Sequence, residues 1–232
     1  MTHLADFTTF LKTVDLVGYR ERYLPIKTVE MDLPKPIQSI GLLYEVYWKE
    51  KTFVSFDAFY ARYAKEKAVL LENFRQKVGL CKDCFHKGLP ARTYRTWASL
   101  ITQIHAGYVA ESVFGSGSVA MSEELDHQGA DFQVKYKGSI LNYQVKKETQ
   151  SREVRREKKS KKVIEGTFID INYQVPNFDI IQNPKKKNGE TRKPYLDFMN
   201  THSKDLQVLS NGFVVFTPFL FEEEKKRIDA KC

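Results

Sequence analysis

The segment from Asp126 to Thr149, DHQGADFQVKYKGSILNYQVKKET, constrains the fold more than any other stretch of the chain. Apolar and polar residues alternate in it with the two-residue period of a strand. Gly138-Ser139 separates two such runs and suits a type II′ turn, which takes glycine first. The expected hairpin pairs residue 137 with 140, and sets Asp131 across from Lys146 and Gln133 across from Gln144. Phe132, Val134 and Tyr136 then share one face with Leu141, Tyr143 and Val145, which is the expected buried side. Asp131, Gln133, Asn142, Gln144 and Lys146 gather on the other. A carboxylate and an amine held side by side on a sheet can bind a divalent metal and position a water, as phosphodiester hydrolysis requires. The same pattern also fits a half-buried hairpin whose Asp–Lys pair is only a solvated ion pair.

At 232 residues, 42% hydrophobic and 28% charged, the chain has the composition of a globular protein with one large core. No uncharged apolar run approaches the roughly 18 residues that mark a membrane span. The start, MTHLADFTTFLKTVDLV, lacks the basic-then-apolar order of a signal peptide. Three cysteines fit a reducing compartment better than a disulfide framework, so a cytoplasmic protein with no membrane association is expected. Cys81-Lys82-Asp83-Cys84 with His86 is half of a zinc pattern, but no second pair follows, so ordinary thiols are expected there.

The net charge of +8 is unevenly placed. Nine Lys/Arg against three Glu lie between Lys146 and Lys162, a local balance of +6, and five against one lie between Lys185 and Lys193, a balance of +4. The first cluster begins at the end of the hairpin. Positive charge beside a candidate metal site points to a polyanionic substrate and favours nucleic acid over a merely solvated basic face.

Helical spacing marks Leu4–Leu16, Leu42–Lys49, Phe56–Lys77 and a stretch from about Thr93 to Phe114 that ends at Gly115-Ser116-Gly117-Ser118. The aromatic stripe Phe56, Phe59, Tyr60 and Tyr63 reads as core rather than as a base-stacking platform. Glu111, near the end of the last of these helices, is either a surface carboxylate or an extra metal ligand. After the hairpin, Ser151–Lys162 fits a basic helix. Strand character follows in TFIDINY, then a loop KKKNGETRKP, a short helix near Tyr195–His202, a strand over Gly212–Phe221 and a charged, frayed tail. This order describes an α/β protein with a mixed β-sheet flanked by helices and an N-terminal helical region. One domain over residues 1–232 is expected, with a mainly helical part (1–92), an α/β core (93–221) and the tail (222–232).

Asp131, twelve intervening residues, then Gln144-x-Lys146 on successive strands after a helix resembles the PD-(D/E)XK nuclease superfamily. Ala130 stands where that motif has proline, and Gln144 replaces its second acid. A closer resemblance, to the TaqI-like type II restriction endonucleases, rests on six ordered blocks: YLPIKTVEMDLP from Tyr23, ARTYRTWASLITQIH from Ala91, ELDHQGAD from Glu124, QVKKET from Gln144, NGET from Asn188 and NGFVVF from Asn211.

This resemblance implies a restriction-endonuclease-like core and Mg²⁺-dependent cleavage of double-stranded DNA at the palindrome TCGA, between T and C. It also implies pairing with a DNA adenine methyltransferase that protects host DNA. Asp126 and Asp131 match the family's two acids, and Lys146-Lys147 its double lysine. Alternation favours Lys146 as the catalytic amine because it shares the face of Asp131, with Lys147 the second choice. Gln144 brings no charge to a metal, so Asp131 needs a further carboxylate, Asp126 first and Glu111 second, with the Val145 carbonyl completing the site. Arg152, Arg155, Arg156, Lys158, Lys159, Lys185, Lys186 and Lys187 would grip the DNA backbone. Asn188, Glu190, Thr191 and Arg192 are candidates for reading bases, since Arg suits guanine and Asn suits adenine. A palindromic target cut twice implies a two-fold homodimer. The competing readings are a structure-selective or non-specific repair nuclease on the same core, and a non-catalytic nucleic-acid-binding module.

Overall fold

In the computed structural model, residues 3–26, 33–149 and 164–231 are described, 147–149 by their backbone alone. In chain order the helices and strands are α1 (His3–Thr13), α2 (Leu16–Tyr23), α3 (Ile40–Leu43) running into a π-helical turn (Tyr44–Lys49), α4 (Phe56–Glu66), α5 (Ala68–Lys77), α6 (Lys82–Phe114), β1 (Val119–Ala120), α7 (Glu123–His127), β2 (Phe132–Tyr136), β3 (Ser139–Thr149), β4 (Thr167–Val175), α8 (Phe178–Gln182), α9 (Lys193–His202), β5 (Leu206–Val208), β6 (Val214–Phe216) and α10 (Phe219–Asp229). They form two compact units, residues 13–102 and residues 1–12 with 103–232.

The 13–102 unit is helical, and its aromatic residues are its core. Tyr19, Tyr23, Phe56, Tyr94 and Trp97 pack with ring centroids 5.3–6.3 Å apart. Two polar tips are hydrogen-bonded inside the core: Trp97 Nε1 donates to Tyr47 Oη at 2.9 Å, and Tyr63 Oη donates to the Ile37 carbonyl at 2.6 Å. Several expected helices have different limits. The first stops at Thr13, after which Asp15 accepts the Gly18 amide at 2.9 Å and caps α2. The stretch Phe56–Lys77 breaks at Lys67, whose backbone (φ −101°, ψ 7°) leaves helical geometry. The long helix begins at Lys82, well before Thr93, and carries Pro90 in its interior; one missing amide donor does not end a helix of 33 residues.

The sheet of the other unit has the order β1-β2-β3-β4, antiparallel at its first two junctions and parallel between β3 and β4. The hairpin turns at Lys137-Gly138, one residue earlier than the sequence rule places it. Both residues have positive φ (46° and 76°), the geometry of a type I′ turn, so the choice of glycine first misassigned it. Tyr136 therefore pairs with Ser139, Gln133 with Asn142 and Phe132 with Tyr143. Asp131 does not face Lys146, nor Gln133 Gln144. The slip is two residues along the partner strand, an even number, so every side chain keeps its expected face.

Phe132, Val134, Leu141, Tyr143 and Val145 are buried, with Phe132 stacked on Tyr143 at 4.9 Å. Phe221 of α10 packs on that pair at 6.1 and 5.5 Å, and Phe216 of β6 meets Tyr173 edge-on at 5.2 Å. The C-terminal segment thus differs from expectation: the strand is only Val214–Phe216, Pro218 opens a helix, and the charged tail is α10, which buries Phe221 and Ile228 one heptad apart. The opposite sheet face is not uniformly wet. Asn142 is fully buried, accepting from Gln133 Nε2 at 2.8 Å and donating to the Glu165 carbonyl at 3.0 Å. The basic stretch Ser151–Lys162 lies outside the described residues. Among the described residues no helix is long and apolar enough to cross a membrane.

Candidate active site

Asp131 enters the sheet from α7. Ser122 caps that helix by accepting the Leu125 amide at 3.2 Å, and Gly129 at φ +90° turns the chain back, its amide donating to the Asp126 carbonyl at 3.0 Å. Three acids crowd the first turn of α7, Asp126 among them, where the helix dipole favours negative charge. Asp131 itself is buried, and its Oδ2 accepts the Val145 amide at 2.6 Å. A charge-assisted bond of that length fixes the carboxylate against β3. Its own amide donates to the Tyr143 carbonyl at 2.8 Å, so backbone and side chain are both tied to one strand.

Register then decides what surrounds it. Extending the β2–β3 pairing by one residue sets Asp131 beside Gln144, and the parallel register sets Gln144 beside Asp170 of β4. Lys146 stands two residues on from Gln144 and on the same face. Its Nζ lies 3.2 Å from Asp170 Oδ2, so the expected carboxylate–amine contact is made with a different acid. Asp170 was not among the residues the sequence singled out. TFIDINY reads as a strand, but its register against the parallel strand β3 has no sequence signature. Lys147 stands opposite Tyr173 in the register, and its side chain is outside the described residues.

Glu111 is engaged locally: its Oε1 accepts the Gly117 amide at 3.0 Å and closes the turn after α6. Among the described residues no three His, Cys, Asp or Glu side chains come together as a metal cluster. Asp131, Asp126 and Glu111 are therefore not gathered into one, and neither are Cys81, Cys84 and His86. The donors on the sheet are oxygens, the chemistry of a hard divalent cation.

The loop after α8 forms a tight, exposed turn. Lys185 and Thr191 bridge, the Lys186 amide donates to the Glu190 carbonyl at 2.8 Å, and the Arg192 amide donates to the Pro184 carbonyl at 2.7 Å. Asn188 Oδ1 accepts the Glu190 amide at 3.2 Å, and Lys186 Nζ meets Glu190 Oε2 at 3.1 Å. Asn188 first and Lys186 second hold the Glu190 carboxyl below its ordinary range. Lys185, Lys186, Lys187, Asn188, Glu190, Thr191 and Arg192 are all exposed on this turn. Arg152, Arg155, Arg156, Lys158 and Lys159 fall outside the described residues.

The family model described as TaqI restriction endonuclease matches residues 4–226. The chain is 34% identical over 223 residues to the type II restriction enzyme TaqI of Thermus aquaticus, covering 92% of this chain and 83% of that one. It is 32% identical over 220 residues to the type II restriction enzyme TthHB8I of Thermus thermophilus, with the same coverage of 92% and 83%. No solved structure matches. A family match spanning residues 4–226, carried by relatives above 30% identity across most of both lengths, means that the chain belongs to the TaqI restriction endonuclease family.

Proposed function

We propose that this type II restriction endonuclease hydrolyses double-stranded DNA at TCGA, between T and C, as a Mg²⁺-dependent homodimer paired with a DNA adenine methyltransferase. The observation that carries the reading is the sheet face on which a backbone-anchored Asp131, Gln144 and Lys146 stand together in a member of this family. Mg²⁺ sites use one or two carboxylates and leave the remaining positions to water and substrate phosphate. Asp131 fits that role, with Asp126 and the Val145 carbonyl as further oxygen donors. When bound, Mg²⁺ would polarise the scissile phosphate and make a bound water more acidic.

The chain's own residues supply orientation and charge. The Val145 amide fixes Asp131, so its carboxylate needs little reorganisation to receive a cation. Lys146 brings the positive charge that stabilises what develops on the phosphate, and it can orient the attacking water. Basic side chains of the exposed turn 184–192 would contact phosphates without reading sequence, while Asn188, Glu190, Thr191 and Arg192 are the candidates for reading base edges. A sequenced plasmid incubated with the protein in Mg²⁺ or in EDTA tests this reading. Discrete fragments ending between T and C of TCGA, formed only with Mg²⁺, are expected; a smear, cutting at junctions alone, or no scission would overturn it.

A further inference from the structure

Gln144 occupies the position at which a two-acid site would carry its second carboxylate, and its neutral amide brings no countercharge to Lys146. The parallel register supplies one from the next strand. Asp170 is the β4 partner of Gln144, and its Oδ2 lies 3.2 Å from Lys146 Nζ. We propose that Asp170 is a positioning residue for DNA cleavage, holding the Lys146 ammonium on the face that carries Asp131. The proposal deepens the reading of Lys146 as the catalytic amine and rests on it.

Exposure argues for this role over a structural one. The two side chains are 28% and 36% exposed, and ion pairs so open to water contribute little to folding. Their effect is on geometry instead. An unrestrained lysine spreads its ammonium over many rotamers, and catalysis by a positioned charge falls steeply with small displacements. Asp170 stands on a regular strand, a support that keeps its own place. The arrangement also accounts for a motif with glutamine in its acidic position: the countercharge has moved one strand sideways while the amine stays.

The test compares Asp170→Asn, Asp170→Glu and Lys146→Met with the wild type, by single-turnover cleavage with enzyme in excess and by binding of the specific duplex in EDTA. Asp170→Asn should slow cleavage about ten- to a hundredfold while duplex binding stays within about threefold. Asp170→Glu, which restores the charge, should recover most of the lost rate. A merely structural role would lower binding along with rate and would not be rescued by glutamate; that outcome overturns the proposal. Cleavage by Asp170→Asn at the wild-type rate, with Lys146→Met inactive, also overturns it and leaves the catalytic reading intact. Wild-type cleavage by Lys146→Met would instead remove the amine's role, and the proposal with it. Thermal unfolding of each variant separates loss of fold from loss of rate.

Discussion

Burial keeps His105 neutral. The residue is 1% exposed and its ring packs on Phe7, which in turn packs on Tyr108; Nε2 lies 3.2 Å from Thr8 Oγ1, and desolvation lowers its pKa to about 3. The unfolded chain takes up a proton near pH 6.5, whereas the folded chain does not until about pH 3. The resulting stability is therefore complete above pH 6.5 and declines as the pH falls through that window. Relative to a His105→Gln variant, the wild type should lose about 2 kcal/mol between pH 7 and pH 5, read from urea midpoints. A constant difference between the two would show that this histidine titrates in the folded protein as it does in the unfolded chain. At the same scale, the face of the candidate site was legible because alternation alone assigns Asp131, Gln144 and Lys146 to it. Asp170 was not, since nothing local to TFIDINY says which residue of β3 it will stand beside.

The elements that hold the site are more regular than their termini. Gly166 precedes β4 at φ +112°, and a Cβ there would come within 2.5 Å of the Ile140 carbonyl oxygen. Gly166→Ala should destabilise the protein by about 2 kcal/mol or more through backbone strain and that clash, measured by denaturant unfolding. A second anchor is α10. Phe221 is fully buried against Phe132, Tyr143 and Phe216, so Phe221→Ala should cost about 3–5 kcal/mol, visible as a large fall in Tm. An unchanged Tm would mean that α10 is not part of the core. The sequence reading treated this segment as a tail because Glu222 to Lys226 are all charged; only Phe221 and Ile228, one heptad apart, betray the buried stripe. The hairpin failed in a milder way. Glycine first suits a type II′ turn at Gly138-Ser139, whereas Lys137 takes the positive φ that lysine rarely adopts; the resulting shift is even-numbered and harmless to the faces.

At the scale of the whole molecule, charge placement is the feature most exposed to test. The net +8 is concentrated in the 146–162 and 185–193 segments, the second of which includes the exposed turn. Replacing Lys185, Lys186 and Lys187 by Ala should weaken binding to specific and non-specific duplexes alike, and flatten the salt dependence of log K by about 1–3 units of slope, according to how many contact phosphate. A loss confined to the specific duplex would instead make these lysines base readers. The central claim, however, rests on one carboxylate. Asp131→Asn, given the specific duplex and Mg²⁺ under single-turnover conditions, should bind within about tenfold of the wild type and cleave at least about a thousandfold more slowly. Mg²⁺-dependent cleavage by this variant at the wild-type rate would contradict the account, because the metal would then be held elsewhere.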